Sequence, residues 1–318
     1  MNIKPELLIN ILRNDKVVYI QTHDFPDPDA IAAAFGLQYF LEEKGIESTI
    51  FYEGEVQTNP VETMIEALEI KIKNIDEINI RDKDKIIIVD GCKGNKNVTN
   101  QNGEIVAIID HHQDEAPDDV PYIDIRSDYG SCSTIVAIYL KEENINLNTS
   151  VATALAIGIH IDTNSFRRRF NHKDLEMYSF LHEKIDNDLL GSILLNNISQ
   201  KELIVYEKAL KEIKIDKKFA FYHYPEECSQ NLLGILANFF LSIKEVEFVA
   251  LVAHSDNKII FSIRSENLEW NAAHIIKRVL KDVGSGGGHR DMAGGAIRNI
   301  PLFKEEEIFQ RFKDQLGF

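Results

Sequence analysis

Two short apolar runs, each closed by an aspartate, constrain the fold of this chain more than any other feature. KIIIVD covers residues 85–90 and EIVAIID covers residues 104–110. Uninterrupted runs of this kind suit central parallel strands, because helices cover both faces of such strands and no polar face is needed. Strand-like segments at 17–20 and 48–52 flank helical periodicity at 29–44. The alternation predicts an α/β fold whose N-terminal domain has a doubly wound, mostly parallel sheet.

The rest of the chain extends this alternation and then changes character. Further helices are predicted at 6–13, from Pro60 onward, at 132–143, at 149–160 and through most of 173–211. Next come a strand at 219–224, a helix at 229–243, a hairpin at 246–266 with SDNK in its turn, a helix, a glycine-rich loop, a strand and a last helix. We therefore expect an N-terminal domain at 1–185, a helical linker at 186–213 and a smaller α/β domain at 214–318, with a cleft between the domains.

Composition narrows the possible partners. The chain has 318 residues and a formal net charge of −16, which argues against a binder of long nucleic acid, since such proteins need a basic track. A small phosphorylated ligand stays compatible, because bound cations and a few arginines can hold it. No run is long and apolar enough to span a membrane, and no signal-peptide pattern opens the chain. Three scattered cysteines fit a reducing compartment. We expect a cytoplasmic protein, and a homodimer is left open.

Side chains that bind metals recur where the predicted strands and apolar runs end. They are His23, Asp27, Asp29, Asp90, Asp110, His111, His112, His160 and Asp162. Ligands in open α/β sheets bind at the carboxyl edge of the strands, so these groups are expected to converge. Carboxylates with a minority of imidazoles suit Mn²⁺, with Mg²⁺ or Co²⁺ as alternatives. Two such ions sharing a carboxylate can activate water for attack on phosphorus.

Each of these residues also has an ordinary structural interpretation. Asp29 could cap a helix, Asp90 could end a strand in a turn, and His160 is better read as a packed core histidine than as a ligand. The coincidence of several such residues, each closing a strand or an apolar run, favours the metal site.

A glycine-rich segment is the strongest motif of the last third. GSGGGHRDMAGGAI covers residues 284–297, and successive glycines let backbone N–H groups approach an anion. Upstream, Arg264 ends the second strand of the predicted hairpin, where a guanidinium can grip a phosphate. The basic run Arg167 to Arg169 is open to two interpretations, a solvated turn or a role near phosphate.

These motifs resemble the DHH/DHHA1 phosphoesterases. HDFPDPDAIAAA, IIIVDGC, AIIDHHQ and AIGIHIDTNSF are similar to motifs I to IV of the DHH superfamily, while GGGHRDMAGGAI and FSIRSE are similar to the DHHA1 motifs. Small departures occur at Pro28, Ile161, Asn164 and Met292. All of the metal ligands that the resemblance implies are retained, so these departures would bear on substrate preference and not on metal binding.

The resemblance implies a role for each matching residue. His23 and Asp27 would bind one cation and Asp29, His111 and Asp162 a second, with Asp90 bridging. Asp110 would orient a neighbouring imidazole, and His112 would contact the phosphate and protonate the leaving group, so the implied catalytic residues are Asp90, Asp110 and His112. The implied substrate contacts are Arg264, Ser265, Gly287, Gly288 and His289.

The resemblance extends to a nanoRNase or pAp-phosphatase type of enzyme. It implies hydrolysis of phosphodiester or phosphomonoester bonds in a short nucleotide: nanoRNA, pApA or 3′-phosphoadenosine 5′-phosphate (pAp). Three alternatives are an inorganic pyrophosphatase-like member, a RecJ-like exonuclease and a catalytically silent nucleotide-binding module. The GGGH segment argues against the first, the length and acidity against the second, and the complete ligand set against the third.

Overall fold

The computed structural model describes residues 5–13, 17–56, 59–113, 115–195 and 198–318. The chain divides into two compact units, an N-terminal unit, Met1–Asn197, and a C-terminal unit, Ile198–Phe318. Within the described residues, no helix is long and apolar enough to cross a membrane.

A six-stranded sheet forms the centre of the N-terminal unit. Its strands are β1 (Val18–Gln21), β2 (Ser48–Tyr52), β3 (Ile72–Asn74), β4 (Lys85–Val89), β5 (Glu104–Asp110) and β6 (Tyr122–Ile125). They lie in the order β3-β2-β1-β4-β5-β6, and all neighbouring pairs are parallel. The winding reverses between β1 and β4, because β1 has β2 on one side and β4 on the other. The carboxyl edge at such a switch point is where open α/β sheets bind ligands.

In the described part of this unit, seven α-helices accompany the sheet, and all of them contribute to one core. They are α1 (Pro5–Leu12), α2 (Pro28–Glu43), α3 (Asn59–Ala67), α4 (Cys132–Glu142), α5 (Thr149–Asp162), α6 (His172–Leu181) and α7 (Asn187–Leu195). Ile87 and Val89 of β4 face this core. Ile86 and Ile88 face a smaller core on the opposite side.

The smaller core is covered differently from what the sequence indicated. In the described residues it is built from the strands and from irregular segments, including Ile80, Cys92, Val98 and Val120. The expectation of helices on both faces was therefore wrong in this detail. The reason is that the described residues of the connections from β4 to β5 and from β5 to β6 form no helix. The fold class is α/β, as expected.

Close packing of α2 against α4 and α5 depends on small residues. A Cβ atom added to Gly36 of α2 would lie 2.8 Å from Leu155 of α5 and 3.0 Å from Val136 of α4. One added to Gly158 of α5 would lie 2.2 Å from the Ser133 hydroxyl and 2.6 Å from Asp29 Oδ1. These glycines let the three helices approach closely, which brings the first turn of α2 to the first turn of α4.

The C-terminal unit contains a second, mixed sheet. Its strands are β7 (Lys214–Asp216), β8 (Phe219–Glu227), β9 (Phe248–Ser255), β10 (Lys258–Ser265), β11 (Ser285–Gly288) and β12 (Met292–Ile297), in the order β11-β12-β10-β9-β8-β7. Only the β8–β9 pair is parallel among these described strands. The helices are α8 (Leu203–Glu212), α9 (Gln230–Leu241), α10 (Ala272–Val279) and α11 (Glu305–Leu316).

Most predicted elements of this unit are present, with one correction. The predicted hairpin is formed by β9 and β10, with Lys258 opposite Ser255. The segment expected to be a glycine-rich loop is instead strand β11, whose Gly287 pairs with Gly294 of β12. Glycine is compatible with this strand because Ile276 of α10 packs against it: a Cβ on Gly286 would lie 2.8 Å from that side chain.

Candidate metal centre

The loop after β1 positions His23 and Asp27. His23 Nδ1 lies 2.9 Å from the carbonyl oxygen of Asp24. A carbonyl only accepts, so Nδ1 carries the hydrogen and Nε2 is the nitrogen that faces the acidic groups. His23 Nε2 lies 3.9 Å from Asp27 Oδ2 and 3.7 Å from Asp90 Oδ2.

Two aspartates at the start of α2 have different hydrogen-bond partners. Asp27 is the N-cap, and its Oδ1 accepts hydrogen bonds from the backbone N–H groups of Asp29 and Ala30 at 2.9 and 3.0 Å. Asp29 is fully buried, and its carboxylate accepts hydrogen bonds from the N–H groups of Cys132 and Ser133 at 2.7 and 3.0 Å. These N–H groups begin α4, where the positive end of the helix dipole favours an anion. The N-cap position, which the ordinary structural interpretation gave to Asp29, is therefore occupied by Asp27.

Asp90 directly follows β4 and has a left-handed backbone with φ of +57°. This conformation is unfavourable for a non-glycine residue and is held here by a hydrogen bond from Asp90 N–H to the Ile109 carbonyl, 2.9 Å long. The residue is 1% exposed, and its side-chain Oδ1 has no hydrogen-bond partner among the described residues. A buried carboxylate oxygen without a donor is costly unless a cation compensates it.

The Asp110-His111-His112 segment follows β5 and is organised by Asp110. Asp110 Oδ1 accepts from the N–H groups of His111 and His112 at 2.8 and 3.2 Å, and from His112 Nδ1 at 2.8 Å. Burial opposes ionisation of Asp110, but the hydrogen bond from His112 outweighs it and lowers the pKa of that carboxyl. Burial disfavours charge on His112 as well, yet Asp110 and Asp90 raise the pKa of that imidazole to about 9.

The His111 ring is oriented by a backbone carbonyl. Its Nδ1 lies 3.3 Å from the Tyr129 oxygen, which leaves Nε2 facing the carboxylates. His111 Nε2 lies 3.2 Å from Asp162 Oδ2, 3.4 Å from Asp90 Oδ1 and 3.9 Å from Asp29 Oδ2, and it has no hydrogen-bond partner in the described residues.

Asp162 is the last residue of α5 and is followed by an unusual turn. Asn164, Ser165 and Phe166 all have positive φ, between 48° and 58°. Thr163 stabilises this turn: its hydroxyl donates to the Ile159 carbonyl at 2.6 Å and accepts from the Phe166 N–H at 3.0 Å. The strained turn ends the helix abruptly at its last ligand-type side chain.

Three linked groups of metal-type side chains result. They are His23, Asp27 and Asp90; Asp90, His111 and His112; and Asp29, His111 and Asp162. Within each group the ligand atoms lie within 4.8 Å of one another. Asp90 joins the first two groups and His111 joins the last two. The unpartnered Asp90 Oδ1 and His111 Nε2 are donor atoms of the kind that Mn²⁺ and Mg²⁺ accept, so the residues fit divalent cations.

The charges of the centre also call for cations. Burial and the neighbouring charges of Asp90 and Asp162 raise the pKa of Asp29 well above its usual range, and burial raises the pKa of Asp90. Burial works against protonation of His23, but Asp27 and Asp90 outweigh it and raise the pKa of that imidazole to about 10. The raised pKa values reflect the repulsion between closely spaced buried carboxylates, which bound protons reduce. A divalent cation would reduce the same repulsion.

Several supporting groups were not found by sequence reasoning. Asp124, for example, accepts both Nε and Nη2 of Arg126 at 2.7 and 2.8 Å, in the segment that leads to Tyr129. Asp174 is fully buried and accepts from the Gly130 N–H and the Thr134 hydroxyl at the start of α4. The Asn171-x-x-Asp174 capping box is the one signal in the sequence that could have indicated Asp174.

Two other predicted features lie beside the centre. His160 is half-buried, packs edge-on against Phe166 and Tyr178, and has a pKa lowered by burial. It belongs to none of the metal-type groups of the described residues, which agrees with a packed histidine more than with a ligand. Arg169 has a left-handed backbone with φ of 44°, which places the basic run in the turn after α5.

Among the predicted substrate residues of the C-terminal unit, Arg264 is buried and makes hydrogen bonds within that unit. Arg264 is only 8% exposed and donates to Asn238 Oδ1 at 2.7 Å, to the Ile263 carbonyl at 3.0 Å and to the Ser262 hydroxyl at 3.2 Å. Its guanidinium therefore anchors β10 to α9, in addition to any role toward a ligand.

The other predicted contacts of this unit lie along β10 and β11. Ser265 is 5% exposed, and its backbone N–H donates a hydrogen bond to the Asp291 carbonyl at 2.9 Å. Gly287, Gly288 and His289 lie at the end of β11, where Gly288 has φ of +135° and His289 is exposed. A Cβ at Gly287 would meet only Lys277, 3.8 Å away, so its backbone is open to a ligand.

Comparison with known proteins assigns both units. The N-terminal domain of the DHH family matches residues 17–159, and the DHHA1 domain matches residues 216–317. The chain belongs to the DHH phosphoesterase superfamily. Its DHH domain carries all of the metal-type residues except Asp162, which lies just beyond the matched segment, and its DHHA1 domain carries the glycine strand.

The relatives of this DHH/DHHA1 chain have low sequence identity to it but align with most of its length. MJ1633 of Methanocaldococcus jannaschii, a protein described as uncharacterised, is 30% identical over 90% of this chain and 58% of its own length. The cyclic-di-AMP phosphodiesterase GdpP of Bacillus subtilis is 25% identical over 96% of this chain and 48% of its own. The chain thus spans about half the length of these two relatives. An exopolyphosphatase-related protein from Bacteroides fragilis superposes with a TM-score of 0.82 at 20% identity, covering 98% of this chain and 95% of that one, which supports the fold.

Proposed function

We propose that this DHH/DHHA1 chain is a metal-dependent phosphoesterase that hydrolyses a phosphodiester or phosphomonoester bond of a short nucleotide, such as nanoRNA, pApA or pAp. The observation that carries the proposal is the convergence of His23, Asp27, Asp29, Asp90, His111 and Asp162 into linked groups sharing Asp90 and His111. An arrangement of carboxylates with few imidazoles at a sheet switch point suits oxygen-preferring divalent cations.

Two cations, Mn²⁺ with Mg²⁺ or Co²⁺ as alternatives, are the proposed cofactors. His23, Asp27 and Asp90 would hold one, and Asp29, Asp90, His111 and Asp162 the other. Bound there, the ions would supply Lewis-acid activation of water and neutralise charge on the phosphoryl oxygens. The N–H groups at the start of α4 already orient the Asp29 carboxylate, and the Tyr129 carbonyl orients the His111 ring. These side chains would therefore need little further ordering when a cation binds.

His112 is the proposed proton donor to the leaving oxygen. Its Nδ1–H is fixed on Asp110 at 2.8 Å, so the orientation of the ring is set by a buried carboxylate. The side chain is 37% exposed, more than His23 at 13% or His111 at 6%, and a substrate can reach it. Position and exposure together suit a general acid.

The proposed substrate class rests on charge and on the DHHA1 domain. A net charge of −16 disfavours a long polyanion, whereas a short nucleotide needs only local cations and N–H groups. The exposed end of β11, with Gly287, Gly288 and His289, is the proposed site for the nucleotide, together with Arg264 and Ser265. The name of the Bacillus subtilis relative favours a second candidate, opening of cyclic-di-AMP.

Steady-state rates on a matched panel test this proposal. The panel contains pAp, pApA, RNA of two to five nucleotides, cyclic-di-AMP, pyrophosphate and long single-stranded DNA, each with Mn²⁺ and after chelation. We expect Mn²⁺-dependent turnover on the short linear nucleotides and none after chelation. Faster turnover of pyrophosphate, or degradation of the long DNA, would assign the chain to a pyrophosphatase-like or RecJ-like class. Tight nucleotide binding without turnover would make it a silent binding module.

A further inference from the structure

One peptide group lies between a buried carboxyl group and a proposed metal ligand in the N-terminal unit. The Tyr129 carbonyl lies 3.3 Å from His111 Nδ1, and the N–H of the same peptide group belongs to Gly130. That N–H donates to both carboxyl oxygens of Asp174, each at 3.0 Å. Because a peptide group is planar and rigid, Asp174 fixes from one side the same plane that orients the His111 ring from the other.

Asp174 also holds the beginning of α4. The residue is fully buried, and its Oδ1 accepts from the Thr134 hydroxyl at 2.6 Å. Thr134 lies in the first turn of α4, and the first two N–H groups of this helix bind the Asp29 carboxylate. One carboxyl group therefore supports the carbonyl at His111 and the helix end at Asp29, which are two of the three residues in the group that also contains Asp162.

Gly130 provides the space that this contact requires. A Cβ atom added there would lie 2.5 Å from Thr163 Cγ2, 2.6 Å from the Arg169 carbonyl oxygen and 3.2 Å from Asp174 Cγ. Thr163 directly follows Asp162, so the peptide group is enclosed by the end of α5 and the start of α6. A residue with a side chain could not bring its N–H this close to Asp174 without displacing a neighbour.

Capping of α6 accounts for only part of these contacts. Asp174 is the third residue of α6 and accepts from the Asn171 N–H at 2.7 Å, which completes the capping box. The box needs no contact to Gly130 or Thr134, and Asp174 accepts from both. Asn171 in turn donates from Nδ2 to the Asp128 carbonyl at 2.6 Å. The start of α6 thus holds the loop before α4 in addition to capping its own helix.

We propose that Asp174 is a positioning residue for the cation that Asp29, His111 and Asp162 would hold. The role rests on the proposed function, because it presupposes a cation at this group. Asp174 would act through the peptide group, which keeps the carbonyl oxygen at His111 Nδ1 and so keeps Nε2 directed at the carboxylates. Through Thr134 it would also keep the start of α4 in contact with Asp29. Neither action requires Asp174 to touch the cation or the substrate.

Calorimetric titration of the full chain with Mn²⁺ tests the proposal. We expect two binding steps, and Asp162→Asn identifies the step of interest, because Asp162 belongs to this group alone among the three. Asp174→Ala should weaken the same step about 10-fold or more, since loss of a group that orients a ligand has an effect of this size. The other step should change much less. Asp174→Asn keeps one acceptor oxygen for the Gly130 N–H and should weaken the step about threefold.

Thr153→Val is the matched control for a loss of stability. The Thr153 hydroxyl is buried and accepts from the Asp186 N–H at 2.9 Å, and Thr153 belongs to none of the metal-type groups. This change should lower the Tm, as the Asp174 variants should, because an N–H group loses its acceptor. Both Mn²⁺ steps should stay unchanged. If Asp174→Ala does not fold, Asp174→Asn and this control decide the outcome.

Two results would overturn the positioning role and leave the proposed function in place. One is Mn²⁺ binding by the Asp174 variants that equals binding by the unmodified chain. The other is equal weakening of both steps, or the same weakening in Thr153→Val, which would mean a general loosening of the fold. An unmodified chain that binds no Mn²⁺ would instead overturn the proposed cation sites, and the positioning role with them.

Discussion

At the residue scale, Asp90 has the most demanding position in the molecule. It is buried, left-handed in φ, lacks a hydrogen-bond partner for Oδ1 among the described residues, and belongs to two of the metal-type groups. We expect Asp90→Ala to abolish turnover, because both proposed cations lose a shared carboxylate. The measurement is the Mn²⁺-dependent rate on the best substrate of the panel.

A matched carboxylate separates this effect from a general loss of charge. Asp119 is exposed, pairs with Lys93 and belongs to none of the metal-type groups, so Asp119→Asn should keep the full rate. Near-normal turnover by Asp90→Ala would refute the bridging assignment. Circular dichroism of both variants shows whether the loss comes from unfolding.

Arg264 combines an anchoring role with a proposed substrate role. Arg264→Ala removes hydrogen bonds to Asn238, Ser262 and the Ile263 carbonyl, and should lower the free energy of unfolding by about 2–3 kcal/mol. It should also raise the KM for the nucleotide and leave Mn²⁺ affinity unchanged, because the metal-type groups lie in the other unit. An unchanged KM and rate would remove the substrate role, and unchanged stability would remove the anchor.

At the scale of elements, the meeting point of α2, α4 and α5 sets the geometry of Asp29. Gly158→Ala would place a Cβ 2.2 Å from the Ser133 hydroxyl and 2.6 Å from Asp29 Oδ1. We expect the helices to move apart, with a loss of about 1–3 kcal/mol in stability and weaker Mn²⁺ binding, since Asp29 loses its fixed position. Thermal unfolding and calorimetric Mn²⁺ titration measure the two effects.

A second helical glycine supplies the control for this prediction. Gly191 of α7 has nothing within 4 Å of its added Cβ. Gly191→Ala should therefore leave Mn²⁺ binding unchanged and stabilise the protein by up to about 1 kcal/mol through helix propensity. If Gly158→Ala binds Mn²⁺ as tightly as the unmodified chain, close helix packing does not position Asp29.

The elements that the sequence predicted are those with a strong pattern of their own. β5 has the predicted ends and β4 ends one residue before Asp90, because apolar runs suit buried strands. β3 and β6 were not predicted, since they are only three and four residues long and each contains a charged side chain. β11 was predicted as a loop because glycine is rare in strands, and packing against α10 overrides that preference.

The parts of the candidate site that the sequence predicted are likewise those with a visible pattern of side chains. Carboxylates and imidazoles at strand ends are visible in the sequence, so the groups around Asp90 were anticipated as a set. The groups that hold them are backbone atoms: the Tyr129 carbonyl at His111, and the N–H groups of Cys132 and Ser133 at Asp29. Every residue has such atoms, and only the fold decides which of them meet a ligand.

At the scale of the whole molecule, the metal-type residues come from segments far apart in the chain and meet only after the N-terminal unit has folded. Cation binding should therefore stabilise that unit selectively, because a ligand that binds only the folded state adds free energy to it. An ion at about 100 times its dissociation constant would add about 2.7 kcal/mol. The strands of the C-terminal unit contribute no residue to these groups.

Hydrogen exchange of the full chain, with Mn²⁺ and after chelation, tests this selectivity. We expect Mn²⁺ to slow exchange at the start of α2 and of α4, where the Cys132 and Ser133 N–H groups hold Asp29, and in the segments after β4 and β5. Exchange in β9 and β10 should be unchanged. Asp90→Ala treated with Mn²⁺ is the control and should resemble the chelated protein. A cation held at Asp90 must stabilise first the elements that carry its ligands. Equal protection of both units, or Mn²⁺-dependent protection that persists in Asp90→Ala, would therefore mean that Mn²⁺ acts on the acidic surface instead.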